Sequence, residues 1–254
     1  ENSLPILASA TAAPESPTVT DTITCSAGAV LDEDGPFTGT FAYSWFVNGT
    51  DILHSADTLT GDQFSKADVV YCSIIPNDGV ADGLTVSSNE VTAINSEPLI
   101  YGVAISPSPA PIASDTLTCS WTGFSDADDD SDQSTILWEV NGLTVATTST
   151  LSGVFAYDDD VSCTVTPFDG EAVGESLSTS LTIANTPPVL AGVDLSPLNP
   201  TEADTLTCMP TSTTDEDGNT LFLYATAWTV DGTEIADTTE TLTSDKFSKG
   251  QNIF

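Results

Sequence analysis

An all-β chain of tandem antiparallel β-sandwiches, about seven strands each, is predicted by three observations. Four sequence blocks recur three times in the same order, with starts at residues 2, 95 and 185. Apolar residues inside the blocks alternate with period two. Cysteine and tryptophan stand at matching places in every copy.

The first block reads Asn2-Ser3-Leu4-Pro5, Asn95-Ser96-Glu97-Pro98 and Asn185-Thr186-Pro187-Pro188. It marks the linkers and divides the chain into repeats over 1–94, 95–184 and 185–254. The second is Asp-Thr-Ile-Thr-Cys ending at Cys25, answered by Asp-Thr-Leu-Thr-Cys ending at Cys119 and Cys208. The third starts at Trp45, Trp138 and Trp228 and continues through Val to Asn-Gly or Asp-Gly. The fourth is Thr-Leu-Thr or Thr-Leu-Ser at 58–60, 150–152 and 241–243. Tyr43, Trp45 and Val47 alternate with smaller or polar neighbours, so one face of that strand is directed to a core and the other to water. Pro76-Asn77-Asp78-Gly79 and Pro167-Phe168-Asp169-Gly170 read as hairpin turns between the last two strands of their repeats. No sustained helical period interrupts the pattern.

The composition excludes several functions. The chain has 38 acidic residues against three lysines, no arginine and one histidine, a formal net charge of −35 at pH 7. Nucleic acid and anionic lipid find no cationic footprint on such a surface. A hydrophobic fraction of 39% is enough for packed cores. No stretch approaches the roughly 20 apolar residues of a membrane span. No charged-then-apolar leader follows Glu1, so a secretion signal, if there was one, is expected to have been removed or to lie outside this segment. His54 is the sole imidazole, so a nucleophile–histidine site cannot recur across the repeats, and the chain is expected not to be an enzyme. Its cysteines lack CxxC spacing, which argues against a thiolate metal site.

The Cys…Trp…Cys pattern of Cys25, Trp45 and Cys72, then Cys119, Trp138 and Cys163, resembles the immunoglobulin-like surface repeats of bacteria and archaea across the whole chain. The resemblance implies a cysteine on strand B, a core tryptophan on strand C and a second cysteine on strand F. It implies the disulfides Cys25–Cys72 and Cys119–Cys163, and with them an oxidising, extracellular or cell-surface location. Buried free thiols in a cytosolic protein are the competing reading. Two departures from the family stand out. Twenty positions separate Cys25 from Trp45, which implies an enlarged B–C loop, and the tyrosine two residues before the second cysteine is missing. Tyr71 is adjacent to Cys72 and is expected on the opposite face. The third repeat offers Cys208 and the core Trp228 only. Phe64-Ser65-Lys66 maps onto Phe247-Ser248-Lys249, which puts the counterpart of Cys72 one position past Phe254. The partner of Cys208 is therefore expected outside the chain, and the repeat is expected to lack most of strand F and strand G. Continuation of a longer array, or strand addition by another subunit, would complete it.

Aspartate recurs seven and nine positions after the first cysteine of each repeat: Asp32 and Asp34, Asp126 and Asp128, Asp215 and Asp217. Asp130 extends the second set. In the sandwich topology the B–C and F–G loops share an end, which brings Asp78 towards the first set and Asp169 towards the second. Short carboxylates around a tight turn are suited to a hard cation, and calcium bridging at each junction is the candidate cofactor role, similar in principle to cadherins. A solvated acidic surface is the alternative. Asp62, Asp68 and Asp158 to Asp160 are expected across the junctions, in the preceding E–F loops. Lys66, Lys246 and Lys249 are expected to pair locally, with an inter-subunit contact as the alternative. Trp121, two residues after Cys119, is expected to point inward. Asn48-Gly49-Thr50 is the only N-glycosylation acceptor pattern. Together these features predict a structural segment of a stalk, adhesin shaft or filament, with neighbouring repeats and further copies of itself as partners. A ligand- or glycan-binding module, or an accessory segment of a secreted enzyme, is the alternative.

Overall fold

The computed structural model describes residues 2–254. Antiparallel strands dominate it, with two single-turn 3-10 helices at Gly61–Gln63 and Ser244–Lys246 and no α-helix among the described residues. The chain forms two compact units. One comprises Glu1–Ala104, Cys119–Leu137 and Cys163–Thr179, the other Ile105–Thr118, Trp138–Ser162 and Ser180–Phe254. The division runs through strands of the middle repeat.

In the first unit, Ala10–Ala13, Thr22–Ala27 and Thr58–Thr60 form one sheet. The other sheet places Val91–Thr92, Val69–Asn77, Thr40–Val47 and Thr50–Asp51 side by side, with Val86–Ser87 also on Val69–Asn77. Alternation decides the inner faces: Ile23 and Cys25 are buried while Thr22 and Thr24 are exposed. Ile23, Cys25 and Leu59 from the first sheet meet Trp45, Val70, Cys72 and Ile74 from the second in one core. The Cys25–Cys72 disulfide joins the sheets, with its Cα atoms 6.2 Å apart. Trp45 is the cross-strand neighbour of Cys72 and donates its indole N–H to the Ala56 carbonyl at 2.8 Å. This is an immunoglobulin-like sandwich. Tyr71 lies on the opposite face, stacked on Phe46 with ring centroids 4.7 Å apart.

A two-residue turn at Asn48-Gly49 reverses the chain after Trp45, with φ of 51° and 75°. Two successive positive φ values are what a type I′ hairpin needs, and Asn-Gly adopts them readily. Asn48 also ties the turn to the sheet edge: its side-chain N–H bonds Asp68 at 2.6 Å, and its carbonyl accepts the Val69 N–H at 3.0 Å. The side chain of the glycosylation acceptor thus has both ends engaged in the fold.

The strands of the middle repeat form two sheets. One holds Gly102–Ser106, Leu117–Thr122 and Thr150–Leu151, and the other holds Leu143–Ala146, Thr135–Val140, Asp160–Thr166 and Leu177–Thr182. Cys119 and Cys163 are disulfide-bonded, with Cα atoms 6.3 Å apart. In the second unit, the turn at Asn141-Gly142 repeats the geometry of Asn48-Gly49. The Asn141 amide reaches Asp159 at 2.7 Å and accepts the Asp160 N–H at 3.0 Å. Trp138, fully buried, donates to the Thr148 carbonyl at 2.8 Å.

The last repeat lies wholly in the second unit. Val189–Ser196, Leu206–Thr214 and Thr241–Leu242 make one sheet, and Trp228–Val230 pairs with Thr233–Ile235. Its core is small: Leu206, Trp228, Val230, Leu242 and Phe247. The closing residues begin a further pairing, with Thr229 and Phe254 exchanging backbone hydrogen bonds at 2.8 and 3.0 Å. Residues 220–227 form no strand, and Leu221 and Leu223 are almost fully exposed. Cys208 is a free, half-buried thiol.

Two glycines show how closely the F–G hairpins sit on the linkers. A Cβ on Gly83 would lie 2.1 Å from the Pro5 carbonyl oxygen, and one on Gly174 would lie 1.8 Å from that of Pro98. Gly174→Ala is therefore expected to lower stability by about 1–3 kcal/mol through overpacking, read as a shift of the urea midpoint. An unchanged midpoint would mean that the hairpin does not pack on the linker backbone.

Candidate functional site

The acidic loops are organised the same way three times, and each aspartate has a distinct task. The first aspartate caps its own turn. Asp32 accepts the Asp34 N–H at 3.0 Å, Asp126 accepts those of Asp128 and Asp130 at 2.8 and 3.1 Å, and Asp215 accepts that of Asp217 at 2.9 Å. Short carboxylates bond the backbone two residues on with little strain, which is why aspartate suits this place.

The second aspartate reaches across to the linker. Asp34 accepts the Ser3 N–H at 2.6 Å, Asp128 that of Ser96 at 2.6 Å, and Asp217 that of Thr186 at 2.5 Å. These charge-assisted bonds are the short, strong class. Each fastens the residue after the linker asparagine to the acidic loop of the repeat it enters.

The hairpin aspartates complete the arrangement in the first unit. Asp78 accepts the Val80 and Ala81 N–H groups at 2.7 Å and the Asn2 side chain at 2.9 Å. Asp169 accepts those of Glu171 and Ala172 at 2.6 and 2.7 Å and the Asn95 side chain at 2.7 Å. Asp169 is only 5% exposed. Burial pushes its carboxyl up, but the Ala172, Asn95 and Glu171 donors outweigh that and hold it below the ordinary aspartate range. A lowered folded-state pKa stabilises the fold above the unfolded aspartate value, and that contribution is lost as pH falls through the folded one.

The +7/+9 register therefore has a hydrogen-bonding cause, and it leaves atoms over. Asp126 Oδ2, Asp128 Oδ1, Asp217 Oδ1, Ser96 Oγ and Thr186 Oγ1 are buried without a partner. Ser96 as a whole is 4% exposed. Buried carboxylate oxygens without donors are costly, and a cation or ordered water is their usual complement. Asp126, Asp128 and Asp130 each place one oxygen within 4.8 Å of the others. A calcium ion about 2.4 Å from each ligand oxygen spans that separation. Asp32, Asp34 and Asp78 line a shared cleft with Asn2. For Asp215 and Asp217 the structure shows the turn cap and the linker bond just described.

Two expectations need refinement. Among the E–F acids, Asp68 is turned inward, accepting the Ser65 N–H at 2.7 Å and the Asn48 side chain. Asp159 likewise accepts the Ala156 N–H at 2.7 Å and the Asn141 side chain. Asp62 lines the cleft that holds Asp128 and Asp129. Trp121 is half-buried rather than a core residue, its indole N–H donated to Asp132 at 3.0 Å. Two residues beyond Cys119 the strand is already leaving the sheet for the B–C loop.

Sequence reasoning missed the part played by Lys66. Its partners lie in the next repeat: the ammonium contacts Asp130 at 2.5 Å, Glu171 at 2.8 Å and Asn95 at 2.9 Å. Asp130 raises its pKa most, then Glu171, so Lys66 stays charged. Lys246 does pair locally, with Asp245 at 3.3 Å, and Lys249 offers its backbone N–H to Glu202 at 2.8 Å. Asn2, Ser3, Asn95, Ser96, Asn185 and Thr186 were legible only as linker residues. Their recurrence in phase with the acidic loops was the available signal.

No protein-family model matches the chain, and no curated protein matches it. It is similar to several solved structures. A two-domain fibronectin type III segment of chicken tenascin is 11% identical, over 68% of this chain and 97% of that one, with a TM-score of 0.36. A Ca2+-stabilized adhesin that helps an Antarctic bacterium bind ice is 15% identical, over 100% and 66%, with a TM-score of 0.34. An ectodomain fragment of ICAM-5 is 15% identical, over 92% and 66%, with a TM-score of 0.37.

Proposed function

We propose that the chain is a structural segment of an extracellular stalk, adhesin shaft or surface filament. In this reading it consists of repeats over 1–94, 95–184 and 185–254, stiffened inside by disulfides and at the joints by calcium. One observation carries the reading: the second aspartate of each acidic loop holds the linker backbone, while buried oxygens beside it lack a partner at the second and third loops. A linker fastened to the loop of the repeat it enters limits bending, and a cation shared by that loop would limit it further.

The disulfides support an extracellular location, since such bridges persist in oxidising surroundings. No helix among the described residues is long and apolar enough to cross a membrane. A role without catalysis is supported by His54, whose ring is bonded to the Thr58 carbonyl at 2.8 Å, and by acids committed to turns and linkers. Partners are then the neighbouring repeats and further copies of the chain.

Calorimetric titration of the 254-residue chain with calcium tests this. The expected outcome is measurable binding heat and a melting temperature about 5 °C or more higher at saturating calcium. Asp128→Asn is expected to remove the heat due to the second acidic loop. Absence of both heat and a melting shift in the native chain would remove calcium from the account.

A binding module is the second reading, and one observation favours it. Leu4, Ile6, Leu31 and Leu84 are 52–80% exposed and line a single groove at the acidic-loop end of the first repeat. A contiguous apolar patch of this kind is a common mark of a contact surface.

A further inference from the structure

The calcium reading treats the junction acids as in need of a cation, yet in the first unit one cation is already supplied by the chain. Lys66 stands on the E–F loop of the first repeat, between Ser65, whose N–H is fixed by Asp68, and Ala67, whose φ is +70°. Its side chain is 24% exposed and crosses to the second repeat, where it meets Asp130, Glu171 and Asn95. Asp130 is also one of the three carboxylates whose oxygens converge within 4.8 Å. The same carboxylate thus faces a lysine ammonium and belongs to the cluster whose spacing suits a divalent ion.

The repeats vary these positions together. Six residues before the second cysteine, Lys66 has Tyr157 as its counterpart, and eleven residues after the first cysteine, Asp130 has Asn219. Where the lysine is replaced at the following junction, the third carboxylate is replaced too. Pairing of this kind is expected if the lysine and the extra charge answer one another.

We propose that Lys66 is a tethered counter-cation that sets the calcium affinity of the Asp126–Asp128–Asp130 cluster. This rests on the calcium reading of the preceding subsection. With Asp130 neutralised by the ammonium, the cluster presents less negative charge to a divalent ion, and calcium must share Asp130 with Lys66 or displace it. Displacement leaves Lys66 its contacts to Glu171 and Asn95, so the lysine retains partners across the junction while the ion enters. The junction would then be held in either state, by the lysine at low calcium and by lysine plus ion at high calcium.

The test is calorimetric titration of the full chain carrying Lys66→Gln or Lys66→Arg, beside the native chain. The Asp128→Asn chain identifies the heat that belongs to this cluster. A unit positive charge about 4 Å from a divalent ion opposes it by about 2 kcal/mol even in water, which is worth tenfold or more in affinity. Lys66→Gln is therefore expected to bind calcium at this cluster about tenfold or more tightly, and Lys66→Arg, which keeps the charge, to stay near native affinity. Equal or weaker binding in Lys66→Gln would overturn the role given to Lys66 and leave the calcium reading standing. No binding by any of the chains would overturn both.

Discussion

Replacing Trp45 by alanine is expected to destabilise the first sandwich by about 4 kcal/mol. The side chain is fully buried and stands among Ile23, Leu59, Cys72 and Ile74, so its loss leaves a cavity that two disulfide-linked sheets cannot close. The Ala56 carbonyl, which accepts the indole N–H at 2.8 Å, would lose its donor at a further cost of about 1 kcal/mol or more. Domains of this size have only about 5–15 kcal/mol in reserve. Trp45→Phe keeps most of the apolar bulk and loses the N–H, so a clearly smaller loss is expected. Urea denaturation followed by tryptophan fluorescence and circular dichroism reads both. Equal losses for Ala and Phe would mean that the hydrogen bond, rather than the filled volume, dominates.

Opening a disulfide is the other large expected effect. Cys25–Cys72 and Cys119–Cys163 span 47 and 44 residues. In the chain-entropy account, loops of that length constrain the unfolded state by about 4 kcal/mol each. Paired Cys→Ala variants, or reduction under native conditions, are expected to shift the unfolding midpoints of the first two repeats accordingly. The last repeat has only the free thiol of Cys208 among its described residues, so its unfolding should be indifferent to reductant. A reductant effect confined to that repeat would contradict the assignment.

The fold was readable because its signals are local and repeated. Period-two alternation directed Tyr43, Trp45 and Val47 to one core, and Pro76-Asn77-Asp78-Gly79 marked the turn between the paired strands Val69–Asn77 and Val86–Ser87. The pairing of cysteines came from resemblance to a known pattern and is realised in both bridges. The acidic loops were legible only as far as their spacing. Their register was visible, but it alone could not distinguish a turn cap from a metal ligand. Asp126 and Asp128 are chemically identical in sequence, and only the fold makes one a turn cap and the other an anchor for Ser96.

Lys66 was beyond a local reading for a physical reason. In a chain with 38 acidic residues every lysine has an acid close by in sequence, and Asp62 and Asp68 were the obvious partners. Asp68 is taken by its own loop, which leaves the ammonium free to reach Asp130, 64 residues away. Trp121 shows the converse. Alternation carried it inward on paper, but the strand ends at Thr122, and its indole N–H is drawn to Asp132.

The central claim is that the acidic loops fasten the linkers and that calcium reinforces the fastening. Amide hydrogen exchange at Ser96 and Thr186, whose N–H groups are donated to Asp128 and Asp217, tests it most directly in the intact chain. The account predicts exchange well below the unprotected rate without calcium and slower still with it. Exchange at the unprotected rate in both conditions would contradict it.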